Sequence, residues 1–454
     1  MVTGRDAYSS PGAIKKRGRG ASLPARPRVL AVLPGFIPST TLTVVKPLTA
    51  LHRAGQIIAD ITVEPWLSNR QIRNADLIVF SRNTEPYALD AVLAHGKPII
   101  YDIDDNLFEI PATYASALAP ERLAQFERYL RSADLIRAYS EPLRERVRQL
   151  NERALRVDCG VDWNLVPASP PPRDANRVRI VYATSRAQED QLAALFMDDL
   201  RRLLRVYQHR VELFFWGYHP PELRGAPCVN FLDFIPDYDQ FFRRFAAAGF
   251  DIGLAPLPDD IFHRSKCNNK FREYAACRIA GVYSDVDVYS SCVEDGRTGL
   301  LVGTGPGAWF EALSRLIEDA ELRRNIQEQA FDLARTRYAT GEFHAIWLRH
   351  IHETISGARR QAGGATKVRA EATGRPDNLR PSARPTLRAR SFASFMSKLL
   401  RRLLRLAGKL GTAEGRTAAA QWLRLYSYSF RELLRVRRKL SPAARWKLWR
   451  RAGV

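Results

Sequence analysis

The chain has 454 residues, 46% of them hydrophobic, and a formal net charge of +22, a length that suits two ordinary domains and a tail. The charge sits at the ends: residues 358–454 carry 25 Lys and Arg against 4 Asp and Glu, the first 28 carry 7 against 1, and residues 29–357 are left at −5. A nucleic-acid binder shows its basic stripe on the folded domain, so nucleic acid is not the expected partner, and the basic ends read as tails that seek an anionic surface.

Residues 1–27, rich in Gly, Pro, Ser, Lys and Arg, lack the apolar periodicity a core needs and are expected to be disordered. No apolar segment follows these charges, so no secretory signal is read, and no window of 18 uncharged apolar residues predicts a membrane-spanning helix. Cys159, Cys228, Cys267, Cys277 and Cys292 are odd in number and form no C-x-x-C pair. That argues against a zinc site or a disulfide framework and suits a reducing cytoplasm.

Residues 28–166 are read as the first domain. Val29–Leu33 is a buried strand ending in a Pro34-Gly35 turn, followed by a helix from about Leu42 to Ala54 and strands at Ile57–Val63, Leu77–Ser81 and Pro98–Asp102. Gly35 is a candidate ligand contact because a glycine lets backbone come close to a bound group; a plain tight turn is the alternative. After the fourth strand stands Tyr101-Asp102-Ile103-Asp104-Asp105-Asn106. Three carboxylates in four residues repel one another unless positive charge compensates. They read as hard oxygen ligands for a divalent ion, or as capping and turn carboxylates without chemistry. Ser140-Glu141-Pro142 then marks the start of a helix that runs to about Asn151. The Pro-rich stretch 167–176 is the linker between domains.

The second domain, 177–341, opens with RVRIVYATS as strand and loop, then a helix from about Gln188 to Tyr207, strands at Val211–Phe215 and Val229–Phe231, and a helix over Tyr238–Ala247. An apolar run at Asp251–Leu257 leads through a polar loop to a helix from about Lys266 to Arg278 and a second run at Gly281–Ser284. That order is an α/β unit whose crevice lies at the strands' carboxyl ends. Spacing i, i+4, i+7 predicts that Lys266, Lys270 and Glu273 share one helical face, and that Phe271, Tyr274 and Ala275 pack on the sheet. Two ammonium groups near a helix N-terminus suit a diphosphate, and Glu273 one turn deeper suits sugar hydroxyls. The alternative is a solvated face with a Lys270–Glu273 pair of about 0.2–0.5 kcal/mol. Helices are also predicted at 306–317 and 319–338, and a final one at 342–357 carries His344, His350 and His352, which read as packing residues, like Trp309 and Trp347.

The run from Ser265 to Val302, SKCNNKFREYAACRIAGVYSDVDVYSSCVEDGRTGLLV, resembles the C-terminal-domain signature of retaining family-4 glycosyltransferases of the GT-B fold, in particular bacterial members of surface-polysaccharide clusters. The resemblance covers residues 29–357 and is strongest over 250–302. It implies an α/β fold of two Rossmann-like parallel-sheet domains facing a cleft: an acceptor domain at 28–166, a nucleotide-sugar donor domain at 177–341 and a crossover helix at 342–357. It implies transfer of a sugar from a nucleotide-diphosphate donor to a glycan or lipid-linked acceptor, retaining, with no required metal and no cofactor. Glu273 maps onto the family's ribose-binding Glu, Lys266 and Lys270 onto a variant diphosphate site, and Ser185 and Arg186 loosely onto a loop under the donor phosphates. The aspartates resemble a "YDxDD" cleft motif, in which Asp104 and Asp105 would orient or help deprotonate the acceptor hydroxyl. Cys159, in Val157–Asp162, replaces the family's usual Asn, and within the C-terminal signature two positions depart from the pattern. Ser265 stands where a second Glu, eight residues before Glu273, contacts the donor sugar, and Arg278-Ile279-Ala280-Gly281 replaces Gly-x-Pro. The rival readings are a metal-dependent transferase built on the aspartates and an inactive scaffold that binds nucleotide-sugar at a membrane.

Residues 358–390 read as a second flexible linker. From 391 to 454, Phe392, Phe395, Met396, Leu399, Leu400 and Leu403 keep helical spacing with Lys398, Arg401, Arg402 and Arg405 between them. This basic amphipathic helical extension is suited to an anionic membrane interface, or else to a partner protein. The expected location is cytoplasmic and peripheral, on the inner face of the cell membrane.

Overall fold

The computed structural model describes residues 26–370 apart from 36, 113–117, 175, 185–191 and 193. Arg186 and the basic extension at 391–454 therefore lie outside the described residues, as do 1–25.

Strands β1 (Arg28–Leu33), β3 (Leu77–Ser81) and β4 (Ile99–Ile103) are almost wholly apolar and buried, as parallel strands covered by helices on both faces must be. With β2 (Ile58–Val63), β5 (Leu135–Ala138) and β6 (Ala154–Arg156) they form a parallel sheet in the order β2-β1-β3-β4-β5-β6. A second parallel sheet follows in the order β12-β11-β10-β7-β8-β9. Its strands are β7 (Val178–Ala183), β8 (Val211–Trp216), β9 (Val229–Leu232), β10 (Ile252–Ala255), β11 (Ala280–Ser284) and β12 (Leu300–Val302). In each sheet the strand order reverses beside the first strand. The loops leaving the carboxyl ends there are where such sheets hold ligands.

Local chemistry explains most element ends. Ser140 caps the Glu141–Arg148 helix by accepting from the Leu143 N–H, and Asp237 caps Tyr238–Ala247 through Gln240. The helix predicted from Leu42 starts earlier, at Pro38, whose fixed φ suits a first turn; a π-helical stretch, Thr41–Val45, joins it to Lys46–Arg53. Phe271, Tyr274 and Ala275 do pack on the second sheet. Gly253 in β10 makes room for them, since a Cβ there would sit 2.6 Å from the Tyr274 ring. The last helix is longer than predicted, Thr340–Ala370, and runs into the expected linker, where Ala, Arg, Gln and Lys favour helix despite Gly363 and Gly364.

That last helix returns to the first domain. Trp347, Ile351 and Ile355 close the core formed by Val29, Leu33, Leu48 and Val79, and the Trp347 indole N–H donates to the Thr43 carbonyl at 2.9 Å. A buried charged cluster fixes the contact. Asp102 on β4 lies in register with Arg137 on β5, and its Oδ2 accepts from Arg137 Nε at 3.1 Å and from the Tyr139 hydroxyl at 2.8 Å. Arg137 Nη1 lies 2.7 Å from His350 Nδ1, and the guanidinium stacks 3.8 Å from the Trp347 ring centroid.

The cluster gives opposing pH slopes. Burial pushes the Asp102 carboxyl up to about 6 from 3.8, against the pull of Arg137 and Tyr139. Burial, then the Arg137 and Arg349 charges, pushes His350 down to about 3 from 6.5. Asp102, raised in the fold, stabilises most below its unfolded value and loses that contribution as pH rises through 6; His350, depressed in the fold, stabilises most above 6.5 and loses as pH falls toward 3. Between about pH 4 and 6 the two nearly cancel, each up to about 1.4 kcal/mol per pH unit. Asp102→Asn removes one of them. Its stability relative to wild type, from urea titrations across that window, is expected to rise with pH by up to about that slope; a flat difference would mean that Asp102 does not titrate there.

Candidate active site

The loop after β4 holds the first group of residues. Arg82, just past β3, takes a left-handed conformation (φ 58°) that turns its guanidinium toward this loop. Its Nε donates to Asp104 Oδ1 at 2.6 Å and its Nη2 to Asp105 Oδ2 at 3.1 Å. Burial opposes the Arg82 charge, but the two carboxylates outweigh it and hold the guanidinium above its ordinary pKa. The positive charge that three neighbouring carboxylates require thus comes from Arg137 for Asp102, Arg82 for the other two, and Lys266 for Asp105 as well. Two carboxylates held by an arginine are suited to orienting a hydroxyl more than to removing its proton. Among the described residues, no group of three or more His, Cys, Asp or Glu side chains is placed to hold a metal ion.

Across the cleft, the helix predicted from Lys266 begins three residues later, and the loop before it holds a separate turn. Asp260 caps a single turn, Ile261–Arg264, by accepting from the His263 N–H, and the next helix spans only Asn269–Ala276. Lys266 therefore lies in the intervening turn and does not share a helical face with Lys270 and Glu273. It meets the first domain instead: its ammonium is 3.2 Å from Asp105 Oδ1 and 4.0 Å from the Phe262 ring centroid. Ser265 is wholly buried, its Oγ accepting from Asn106 Nδ2 at 3.2 Å and its carbonyl accepting from Ser140 Oγ at 2.6 Å. The position where the resembled family has a second Glu is thus filled by contacts between the domains.

Glu273 lines a narrow pocket between the domains, with Leu42, Gly160, Asp162, Tyr238 and Asn269 around it. Lys270 Nζ donates to Glu273 Oε2 at 2.8 Å, the pair that the simple reading of the helix expects, and the Tyr238 hydroxyl donates to Oε1 at 3.2 Å. Burial, then the Glu273 charge, raises the Tyr238 pKa, so the phenol stays a donor. Arg272 ties this helix to the first domain, donating to the carbonyls of Cys159 at 3.0 Å and Gly160 at 3.3 Å. Gly35, at the end of β1, accepts from the Thr40 hydroxyl at 3.1 Å; a Cβ on it would meet open space. Its backbone does not require glycine.

Sequence reasoning missed Arg82, Tyr238, Arg272 and Asn106. Of these, Arg82 left one trace: the unbalanced charge of the aspartates, which demanded a cation from elsewhere.

Residues 177–319 match the family described as "Glycosyl transferases group 1". No curated protein sequence matches the chain. Among solved structures, HepE from Anabaena in complex with UDP and glucose shares 17% identity, with 73% of this chain and 100% of that one covered, at a TM-score of 0.54. A glycosyltransferase from Rickettsia africae shares 13%, covering 73% and 99%, at 0.56. Sucrose-phosphate synthase from Thermosynechococcus elongatus shares 13%, covering 76% and 100%, at 0.54. These likenesses are of fold: the two facing parallel sheets are the GT-B architecture, and the match to the group 1 glycosyltransferase family lies within the second domain.

Proposed function

We propose that this protein is a retaining glycosyltransferase that moves a sugar from a nucleoside diphosphate donor to a glycan or lipid-linked acceptor, without a required metal. The observation that carries the reading is Glu273. Its carboxylate, flanked by Lys270 and Tyr238, faces the pocket between the domains from within the matched region. In this reading Glu273 holds the ribose diol, and Lys266, Lys270 and the nearby helix N-terminus stabilise the departing diphosphate. Asp104 and Asp105, fixed by Arg82, orient the acceptor hydroxyl. In this reading Gly35, in the loop after the first strand, and Arg186, in the loop that the resemblance places under the donor phosphates, belong to the donor contacts. The charge of residues 358–454, 25 basic against 4 acidic, supports work at the inner membrane surface, and the resemblance supports a part in surface-polysaccharide assembly.

The HepE structures are complexes with UDP and with UDP-glucose, which makes uridine the first base to try. A thermal-shift series with UDP, GDP, dTDP and their sugar conjugates, with and without EDTA, tests the reading. A ligand at a hundred times its dissociation constant adds about 2.7 kcal/mol. One base is expected to raise the melting temperature equally in EDTA; no shift from any nucleotide overturns the proposal. The burial of Ser265 in contacts between the domains favours a second reading, binding of nucleotide-sugar without turnover. Release of nucleotide from the bound donor separates the two.

A further inference from the structure

Lys266 is claimed from two sides. In the proposed reading it serves the donor diphosphate; in the structure its ammonium meets Asp105 Oδ1 at 3.2 Å, both side chains being largely buried. Asp105 does not depend on that contact for its position, because Arg82 holds its Oδ2 at 3.1 Å and the neighbouring Asn106 is wholly buried against Ser265. An anion that engages Lys266 has to draw the ammonium away from a carboxylate that is itself anchored. A diphosphate, with more charge and more acceptor oxygens than a carboxylate, is suited to do so.

We propose that Asp105 is a resident counter-ion of Lys266 which a nucleoside diphosphate displaces. The diphosphate takes over the ammonium, Arg82 keeps the carboxylate in place, and Asp105 Oδ1 is turned over to the acceptor side of the cleft. The same carboxylate thus lowers donor affinity and reports donor occupancy to the acceptor site. This rests on the proposed donor reading and adds a coupling between the two half-sites, with the donor engaged first.

Calorimetric titration of UDP and of uridine tests it. Asp105→Asn, which keeps the shape and removes the charge, is expected to bind UDP about 3- to 10-fold more tightly with uridine affinity unchanged, the range of a partly buried ion pair. Asp105→Ser repeats the test without an amide, and thermal unfolding of both variants checks the fold. Lys266→Met is expected to weaken UDP and to make Asp105→Asn silent in the double variant. Asp239→Asn is the control. It breaks another ion pair between the domains, Lys46–Asp239 at 2.5 Å, that does not involve Lys266, and is expected to leave UDP affinity unchanged. Wild-type protein that binds UDP while Asp105→Asn binds it no more tightly overturns this inference alone, as does an equal gain from Asp239→Asn. Wild-type protein that binds none of UDP, GDP and dTDP overturns the donor reading and this inference with it.

Discussion

Glu273→Gln is expected to weaken binding of a nucleoside diphosphate by roughly 10- to 100-fold, the equivalent of about 1.5–3 kcal/mol for a hydrogen bond to a charged group. The carboxylate is buried, with one oxygen bonded to Lys270 and the other to Tyr238, beside a gap of about 10 Å³ that holds no more than a water, so a diol reaches its remaining lone pairs only when that gap widens. Glutamine keeps the volume and can accept from Tyr238, but it presents an N–H to one side and carries no charge. If the ribose is the partner, the loss follows the hydroxyls: a 2′,3′-dideoxy nucleoside diphosphate should bind wild type and variant alike. A dideoxy nucleotide that loses as much as the natural one removes the ribose role from Glu273. A Glu273 that served only its pair with Lys270 would instead give a stability change with no change in affinity.

Arg137→Leu is the substitution with the largest expected effect on stability, about 3–5 kcal/mol, because it leaves a buried carboxylate without its counter-charge. Asp102 is completely buried, and the Tyr139 hydroxyl alone does not neutralise it. The variant also loses the contact to His350 and the stacking on Trp347, so the final helix loses its anchor on the sheet. Adding Asp102→Asn removes the stranded charge, and the double variant is expected to recover much of the loss. Urea denaturation followed by circular dichroism measures both. A single variant as stable as wild type would show that packing of Trp347 and Ile351, rather than the ion pair, holds the helix.

The two-domain architecture was legible because its signals are local and repeated. Apolar runs such as RVLAVL and VELFFW mark covered parallel strands, and Ser140 announces a helix with its own hydroxyl. The site was legible only where one element carries it. Lys270 and Glu273 are three residues apart on one helix and their pairing follows from spacing alone. Lys266 was misplaced because periodicity ignores Asp260 and Asn268, which begin separate helical segments on either side of it. Arg82 and Asp104 are 22 positions apart, joined by a left-handed residue that no pattern announces. Arg137 sits inside the strand sequence LIRA with nothing nearby in sequence to pair it; it is buried because Asp102 occupies the matching position on the adjacent strand. Such pairs are specified by strand register, which appears only once the sheet has formed.

The closure of the first core by the last described helix sets an order of completion. Trp347 bonds to Thr43 across 304 positions of chain, whereas the second sheet and its covering helices come from one continuous stretch. On a ribosome, a nascent chain that has released residues up to Arg337 owns every strand of both sheets, yet Val29, Leu33, Leu48 and Val79 still lack their cover. The half made first is finished last. Until Phe343 to Ile355 emerge, that apolar stripe is the surface a chaperone would meet, and a truncation that spares every candidate site residue but removes this helix would yield an aggregating protein rather than a smaller active one.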